Sequence, residues 1–222
     1  SASGRIGTAT SRCDNSVGAI TSTSLMAHAT NLPTAQTEAF TSFNGFFSTG
    51  SFQSNLTSSL LPDASKVNTN LAGNPNVTAA YNPPDGNHTA LALVGLGLNP
   101  PNATPAATPT LSVRHDFSFN LSALTPGNLL IGLHDPTSSG PGFTSLRFTI
   151  EREGSLVVDE MLTTLVEATT YFNDNVIDLG AMATGVVGTL DLSIALEMVT
   201  PENGTRFNTT LIVADVGLAS VA

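Results

Sequence analysis

Tryptophan is absent from these 222 residues, cysteine occurs once, and Lys and Arg together number seven. Each shortage removes a class of protein. The lone Cys13 makes no intrachain disulfide, so the chain is not a stapled scaffold, and its length is enough to bury a real core. Seven basic against 17 acidic residues give a net charge of −10, which excludes a nucleic-acid partner, because that needs a basic footprint to displace counterions. Charged residues make up 11 % of the chain, less than half the usual ~25 %, so the surface is not halophilic either. The longest apolar stretches are too short for a transmembrane helix.

Catalytic signatures are missing as well. There is no G-x-S-x-G elbow, H-E-x-x-H, C-x-x-C or phosphate-binding loop. Gly95-Leu96-Gly97 is only part of a dinucleotide fingerprint, and Pro100-Pro101 stands where a helix N-terminus should receive the pyrophosphate. No cofactor is expected from the sequence.

What is present is hydroxyl and amide. Ser and Thr number 52 and Asn 18, so the surface is neutral and rich in hydrogen-bonding groups. The chain divides by composition into residues 1–30, an N-terminal arm or first strand; 31–110, rich in Asn, Pro, Ser and Thr with short helices packed on a sandwich; and 111–222, the sandwich itself. Residues 1–110 carry a net charge of −1 and 111–222 a net −9. The first residues, Ser1-Ala2-Ser3, read as a processed, exported product.

Period-2 patterning dominates the second half, placing alternate side chains on opposite faces of a sheet. Leu111, Val113, His115, Phe117, Phe119 and Leu121 share one face; Leu190, Leu192, Ile194, Leu196 and Met198 form a second such set, and Leu146, Phe148 and Ile150 a third. Shorter apolar runs at 129–133, 156–158, 176–179 and 211–216 bring the expected strands to seven. Turn residues separate them, at Thr125-Pro126-Gly127-Asn128, 136–142, Glu153-Gly154 and Pro201-Glu202-Asn203-Gly204. Leu162, Leu165, Ala168 and Phe172 have helical spacing, closed by Asn173-Asp174-Asn175. The fold class that follows is mainly β, an antiparallel β-sandwich with one or two short helices. In the first half, Ala90–Leu98 reads as a buried strand, and the spacing of Phe40, Phe43, Phe47, Phe52, Leu56 and Leu60 predicts one or two helices over 34–61. Residues 1–16 show no periodicity and read as an arm.

Two stretches resemble each other at an offset of 75 residues. Asp116, Ser118, Leu121, Thr125, Pro126 and Asn128 recur as Asp191, Ser193, Leu196, Thr200, Pro201 and Asn203. Either two strand-and-turn units have converged in composition, or a hairpin was duplicated into equivalent parts of two sheets.

The candidate chemistry is thin. His115-Asp116 and His134-Asp135 lie on strands that a short hairpin through Pro126-Gly127 would place side by side. Adjacent strand residues point to opposite faces, so neither dipeptide should itself be a His–carboxylate dyad. The two histidines either converge on a metal or acid–base site with a distant carboxylate, or are structural. Glu151/Glu153 and Asp159/Glu160 read as solvated strand ends rather than an acid–base pair. Asn173, Asp174, Asn175 and Asp178 offer hard oxygen ligands for calcium, although their spacing matches no EF-hand and a helix-ending turn explains them equally. No catalytic, cofactor or metal residue is assigned on this basis. Seven N-x-S/T sequons, at Asn55, Asn76, Asn87, Asn102, Asn120, Asn203 and Asn208, are glycosylation candidates.

Phe117-Ser118-Phe119, the run Gly142-Phe143-Thr144-Ser145-Leu146-Arg147-Phe148 and the strand Leu190–Met198 resemble bacterial exported surface or matrix β-domains of the PEP-CTERM-like kind. The resemblance is to the C-terminal half only; the Pro-Glu-Pro sorting tail of that family is not in this sequence. It implies an exported envelope or matrix domain. The leading expectation is a secreted, non-enzymatic structural protein, a subunit of an extracellular filament, surface layer or biofilm matrix, self-associating into a homopolymer by β-strand addition. Val17, Ala19, Ile20 and Leu25 are the candidate donor-strand residues, an ordinary strand of the same subunit being the simpler role for the same segment. The alternative is an extracellular carbohydrate-binding or adhesion sandwich, with glycans as partners. An enzyme acting through His115 and His134 is the third reading.

Overall fold

A computed structural model describes residues 5–14, 20–32, 44–49, 52–60, 64–81, 89–98, 108–122, 127–182, 186–200 and 205–217. The first half of the chain contributes β1 (Arg5–Asp14), β2 (Ile20–Leu32), β3 (Asn44–Thr49), β4 (Phe52–Leu60), α1 (Ala64–Leu71), α2 (Pro75–Ala80) and β5 (Thr89–Leu98). The second half contributes β6 (Thr110–Asn120), β7 (Gly127–Ser139), β8 (Ser145–Arg152), β9 (Ser155–Leu162), α3 (Leu165–Tyr171), β10 (Asn175–Ala181), β11 (Thr189–Val199) and β12 (Arg206–Gly217). These strands form two six-stranded antiparallel sheets, sheet A in the order β1-β2-β6-β11-β8-β9 and sheet B in the order β10-β7-β12-β5-β4-β3. The protein is an antiparallel β-sandwich.

The alternating strands behave as their pattern requires. Phe117, Phe119, Phe148, Leu192, Ile194 and Leu196 from sheet A are all buried, and they meet Leu129, Ile131, Leu133, Phe207, Leu211 and Val213 of sheet B in one core. Burying a side chain of this size contributes about 1.5–3 kcal/mol, so this layer is the main source of stability. α3 closes one side of the core. Thr164 and Glu167 form a capping box at its start, and its last turn delivers Phe172, whose ring stands 5.0 Å from Phe148 and 5.1 Å from Phe207. Nearby, Arg152 of β8 donates to the carbonyls of Leu179 and Ala181 in β10, at 2.6 and 2.9 Å, tying the two sheets together. Glu153 and Gly154, both at positive φ, make the two-residue turn between β8 and β9.

Three expectations need correction. The segment expected as helical over 34–61 contains β3 and β4 instead, and the described helices of that half, α1 and α2, follow at 64–71 and 75–80. Pairing of β4 with β5 along nine residue pairs outweighs a Phe spacing that Gly45 and the Ser/Thr content had already weakened. Residues 5–14 are a strand, β1, paired with β2, rather than an arm. Finally, β6 and β7 are not a hairpin: the chain crosses from sheet A to sheet B between them, as it does again between β11 and β12. The two similar units therefore pair with each other, β6 with β11 and β7 with β12, both antiparallel. Asp116 faces Ser193, the counterpart of Ser118, while Ser118 faces Asp191, the counterpart of Asp116, a reciprocal match about a local two-fold.

The two outer faces differ. α1 and α2 cover sheet B, packing Val67, Leu71, Val77 and Tyr81 onto Ile212 with Leu130 and Val176 alongside. Gly132 makes that approach possible, since a Cβ there would lie 2.6 Å from both Val77 Cγ1 and Ile212 Cγ2. Tyr81 anchors the end of the helical pair by donating its hydroxyl to the Ile212 carbonyl at 3.0 Å. On sheet A the outward side chains of β6, β8 and β11 are half-buried or exposed, and among the described residues no element lies over them.

Candidate functional site

The two histidines are in different sheets. His115 points from β6 into the core, stacked on Phe117 at 4.1 Å, and burial drives its pKa down to about 3, Asp116 opposing the shift weakly. It is a neutral core side chain. His134 lies on the other face of sheet B from the main core, fully buried. No site formed by both residues exists.

His134 does pair with its neighbour, against the expectation from strand alternation. Asp135 sits at φ 50°, in the left-handed region, where the pairing of β7 with β12 slips between Asn208 and Thr210. The bulge turns the carboxylate back, so that Asp135 Oδ2 lies 3.0 Å from His134 Nδ1. Asn74, just ahead of α2, donates to the other oxygen at 3.1 Å. A His–carboxylate pair is the orienting half of an acid–base site, but the base must also reach a substrate proton. His134 has no exposed surface, so this cluster reaches none; it pegs α2 to sheet B.

The calcium candidates separate in the same way. Asp174, also at positive φ, uses its carboxylate to accept the backbone N–H groups of Asn76 and Val77 at 3.0 and 2.9 Å. Asn175 donates to the Tyr171 carbonyl, and Asp178 accepts from Asn128. Among the described residues no group of three or more His, Cys, Asp or Glu converges. Of the carboxylate pairs, Asp159 belongs to an ion pair with Arg147 and Glu153 accepts the Asp191 N–H.

The sequons fall in varied surroundings. Asn55 is within β4, Asn76 in the first turn of α2 and Asn208 within the β12 ladder. Asn120 ends β6, where its side-chain oxygen accepts from the backbone N–H and hydroxyl of Ser122. Asn87, Asn102 and Asn203 lie outside the described residues, as do Val17 and Ala19. Ile20 and Leu25 lie in β2, which pairs with β6 of the same chain.

The open face of sheet A holds a feature with the shape of a binding site that sequence reading missed. A cross-strand row runs Met26, Arg114, Ala195, Thr149, Asp159, and the next row runs Ser112, Glu197, Arg147, Met161. Ala195 is shorter than Met26, Arg114, Thr149 and Arg147 around it, so the sheet has a depression of about 190 Å³ over it. Met26 and Arg114 bound it on one side, Thr149 and Arg147 on the other, with Ser112 and Glu197 at one end. The guanidiniums are held in place. Arg147 forks onto Asp159 through Nε at 2.7 Å and Nη2 at 2.9 Å, and Arg114 Nε donates to Asp116 at 2.6 Å. The hydrogen bonds between Arg147 and Asp159 raise the Arg147 pKa and hold the Asp159 carboxyl below its ordinary value. Such fixed donors lose little entropy on binding a ligand. The spacing of Arg114 and Arg147 in sequence carries no hint of this, because β11 supplies the strand between them.

No protein-family model and no curated protein sequence matches the chain. Solved structures match weakly. TmCBM61 in complex with beta-1,4-galactotriose aligns at 11 % identity and TM-score 0.28, covering 56 % of this chain and 71 % of that one. A structure of promiscuous carbohydrate-binding modules from the β-sandwich superfamily aligns at 10 % identity and TM-score 0.20, covering 88 % and 73 %. Dimeric latent PorU from Porphyromonas gingivalis aligns at 16 % identity and TM-score 0.25, over 46 % of this chain and 10 % of that one.

Proposed function

We propose that the protein is an extracellular carbohydrate-binding module that takes up sugar on the open face of sheet A. The observation that carries this is the depression over Ala195. A sugar ring offers an apolar C–H face and a rim of hydroxyls, and the site answers both: Ala195 and the half-exposed Met26 supply an apolar floor, Arg114 and Arg147 supply fixed donors, and Glu197 supplies an acceptor. Ser112 and Thr149 serve in either role. The hydroxyl-rich, weakly charged surface and the sequons support an extracellular setting. In place of the tryptophan platform that the sequence lacks, the thioether of Met26 provides a soft apolar contact. Binding is tested by titrating an isotopically labelled sample with neutral oligosaccharides and following the amides of β2, β6, β8 and β11. Shifts confined to those strands, lost in Arg147→Ala, support the reading; a panel of sugars that moves none of them overturns it.

A second reading, self-association into a filament or matrix, is favoured by β9. This edge strand of sheet A exposes Leu156, Val157 and Met161, with Asp159 and Glu160 as its charged residues. Light scattering separates the two readings: assemblies that Val157→Lys dissolves support strand addition at β9, and a monomer at all concentrations removes it.

A further inference from the structure

We infer that the depression over Ala195 accepts a single neutral hexose ring and rejects uronic acids and sulfated sugars; this rests on the carbohydrate-binding reading above. Size sets the first limit. At about 190 Å³ the depression is smaller than the ~300 Å³ at which pockets begin to enclose a drug-sized ligand, so one ring fits and the sugars on either side of it remain in solvent.

Charge sets the second. Two guanidiniums at a sugar site ordinarily signal an anionic ligand, because the planar fork matches a carboxylate or sulfate. Here both guanidiniums already face carboxylates. Arg147 is committed to Asp159 through two hydrogen bonds, and Arg114 to Asp116 through its Nε. Glu197 stands beside Arg147 across the β8–β11 pairing, and Glu151 follows two rows further along the same face, opposite Ser193. Among the described side chains, this face therefore sets two arginines against Asp116, Asp159, Glu151, Asp191 and Glu197. A ligand carboxylate laid on Ala195 meets Glu197 and a face whose described side chains carry more carboxylates than guanidiniums, and like charges at such separations repel. Neutral hydroxyls meet no such cost. They accept from the remaining N–H groups of the two guanidiniums, which their carboxylates hold steady, and donate to Glu197.

The test uses the intact protein, titrated by calorimetry with a neutral hexose, the matching neutral trisaccharide, and trigalacturonate. Three results are expected: the neutral trisaccharide binds less than about threefold tighter than the monosaccharide, trigalacturonate binds at least about tenfold more weakly than the neutral trisaccharide, and added salt narrows that gap. Ala195→Leu, which fills the floor from the outer face without entering the core, should abolish neutral-sugar binding while leaving the melting temperature within a few degrees. Glu197→Gln removes the negative charge beside the floor, so it should narrow the ratio between the affinities for the neutral trisaccharide and trigalacturonate at least about threefold; an unchanged ratio overturns the part given to Glu197. Tighter binding of trigalacturonate by the unaltered protein overturns the selectivity while leaving the carbohydrate-binding reading in place. Neutral binding that survives Ala195→Leu overturns the site. Binding of neither sugar class overturns the carbohydrate-binding reading itself.

Discussion

Lowering the pH from 7.5 to 5.0 should cost the fold about 2 kcal/mol through His115 alone. Burial between the sheets holds this imidazole at a pKa of about 3, against 6.5 for an exposed histidine. In the unfolded chain the ring takes up a proton below 6.5, and in the folded chain it does not. The unfolded state therefore binds more protons in that window, so stability is complete above pH 6.5 and falls as pH drops toward 3. At pH 5.0 the unfolded chain has gained about 1.5 pH units of proton binding, at ~1.4 kcal/mol each, which gives the ~2 kcal/mol; by pH 3 the loss approaches ~5 kcal/mol. That is a large part of the 5–15 kcal/mol typical of a domain. The assay is urea unfolding at both pH values for the native chain and for His115→Phe, which keeps an aromatic ring against Phe117. All other titrating groups are common to both proteins and cancel in the difference. The variant should lose about 2 kcal/mol less than the native chain on acidification. Parallel pH dependences would refute the assignment of His115 as a neutral core residue.

Three other perturbations report on separate parts of the fold. Phe119→Ala empties a fully buried position in the core and should cost about 3–5 kcal/mol in chemical denaturation; an unchanged midpoint contradicts the inward face of β6. Gly132→Ala places a methyl group against Val77 and Ile212, so a loss of about 1–3 kcal/mol with faster amide exchange across 64–81 is expected, and unaltered exchange there contradicts the close docking of α2. Thr164→Ala removes half of the capping box of α3 and should cost about 1 kcal/mol, read as a lower melting temperature.

Much of the sandwich was legible because its signal is local. Alternation at Leu111–Leu121, Leu146–Ile150 and Leu190–Met198 names the strand and its buried face at once, since a period of two leaves no other arrangement that hides the apolar side. The helix at 165–171 was legible for the same kind of reason, although Leu162 proved to be the end of β9 and the helix begins after its Thr164 cap. The similarity between 113–128 and 188–203 was also visible, but not its geometry. A turn at Thr125–Asn128 serves equally to reverse a hairpin or to cross from one sheet to the other, and only the packing of the two sheets selects the crossing. Phe47, Phe52, Leu56 and Leu60 failed as a guide to β3 and β4 because their spacing satisfies a helix, while the pairing with β5 that overrides it comes from residues about 35 positions away.

Sequence alone thus determined the fold class, the inward faces and the absence of a disulfide or basic surface, all of which depend on residue type and short-range period. Tertiary structure decided everything that requires distant strands to meet. The bulge at Asp135 that turns its carboxylate onto His134 exists because β12 pairs with β7 on both sides of it, and the two histidines, close in sequence pattern, separate because their strands enter different sheets. The depression over Ala195 is the clearest case. Met26, Arg114, Thr149 and Ala195 lie on four strands spread over much of the chain, and each is unremarkable until backbone pairing sets them in one row.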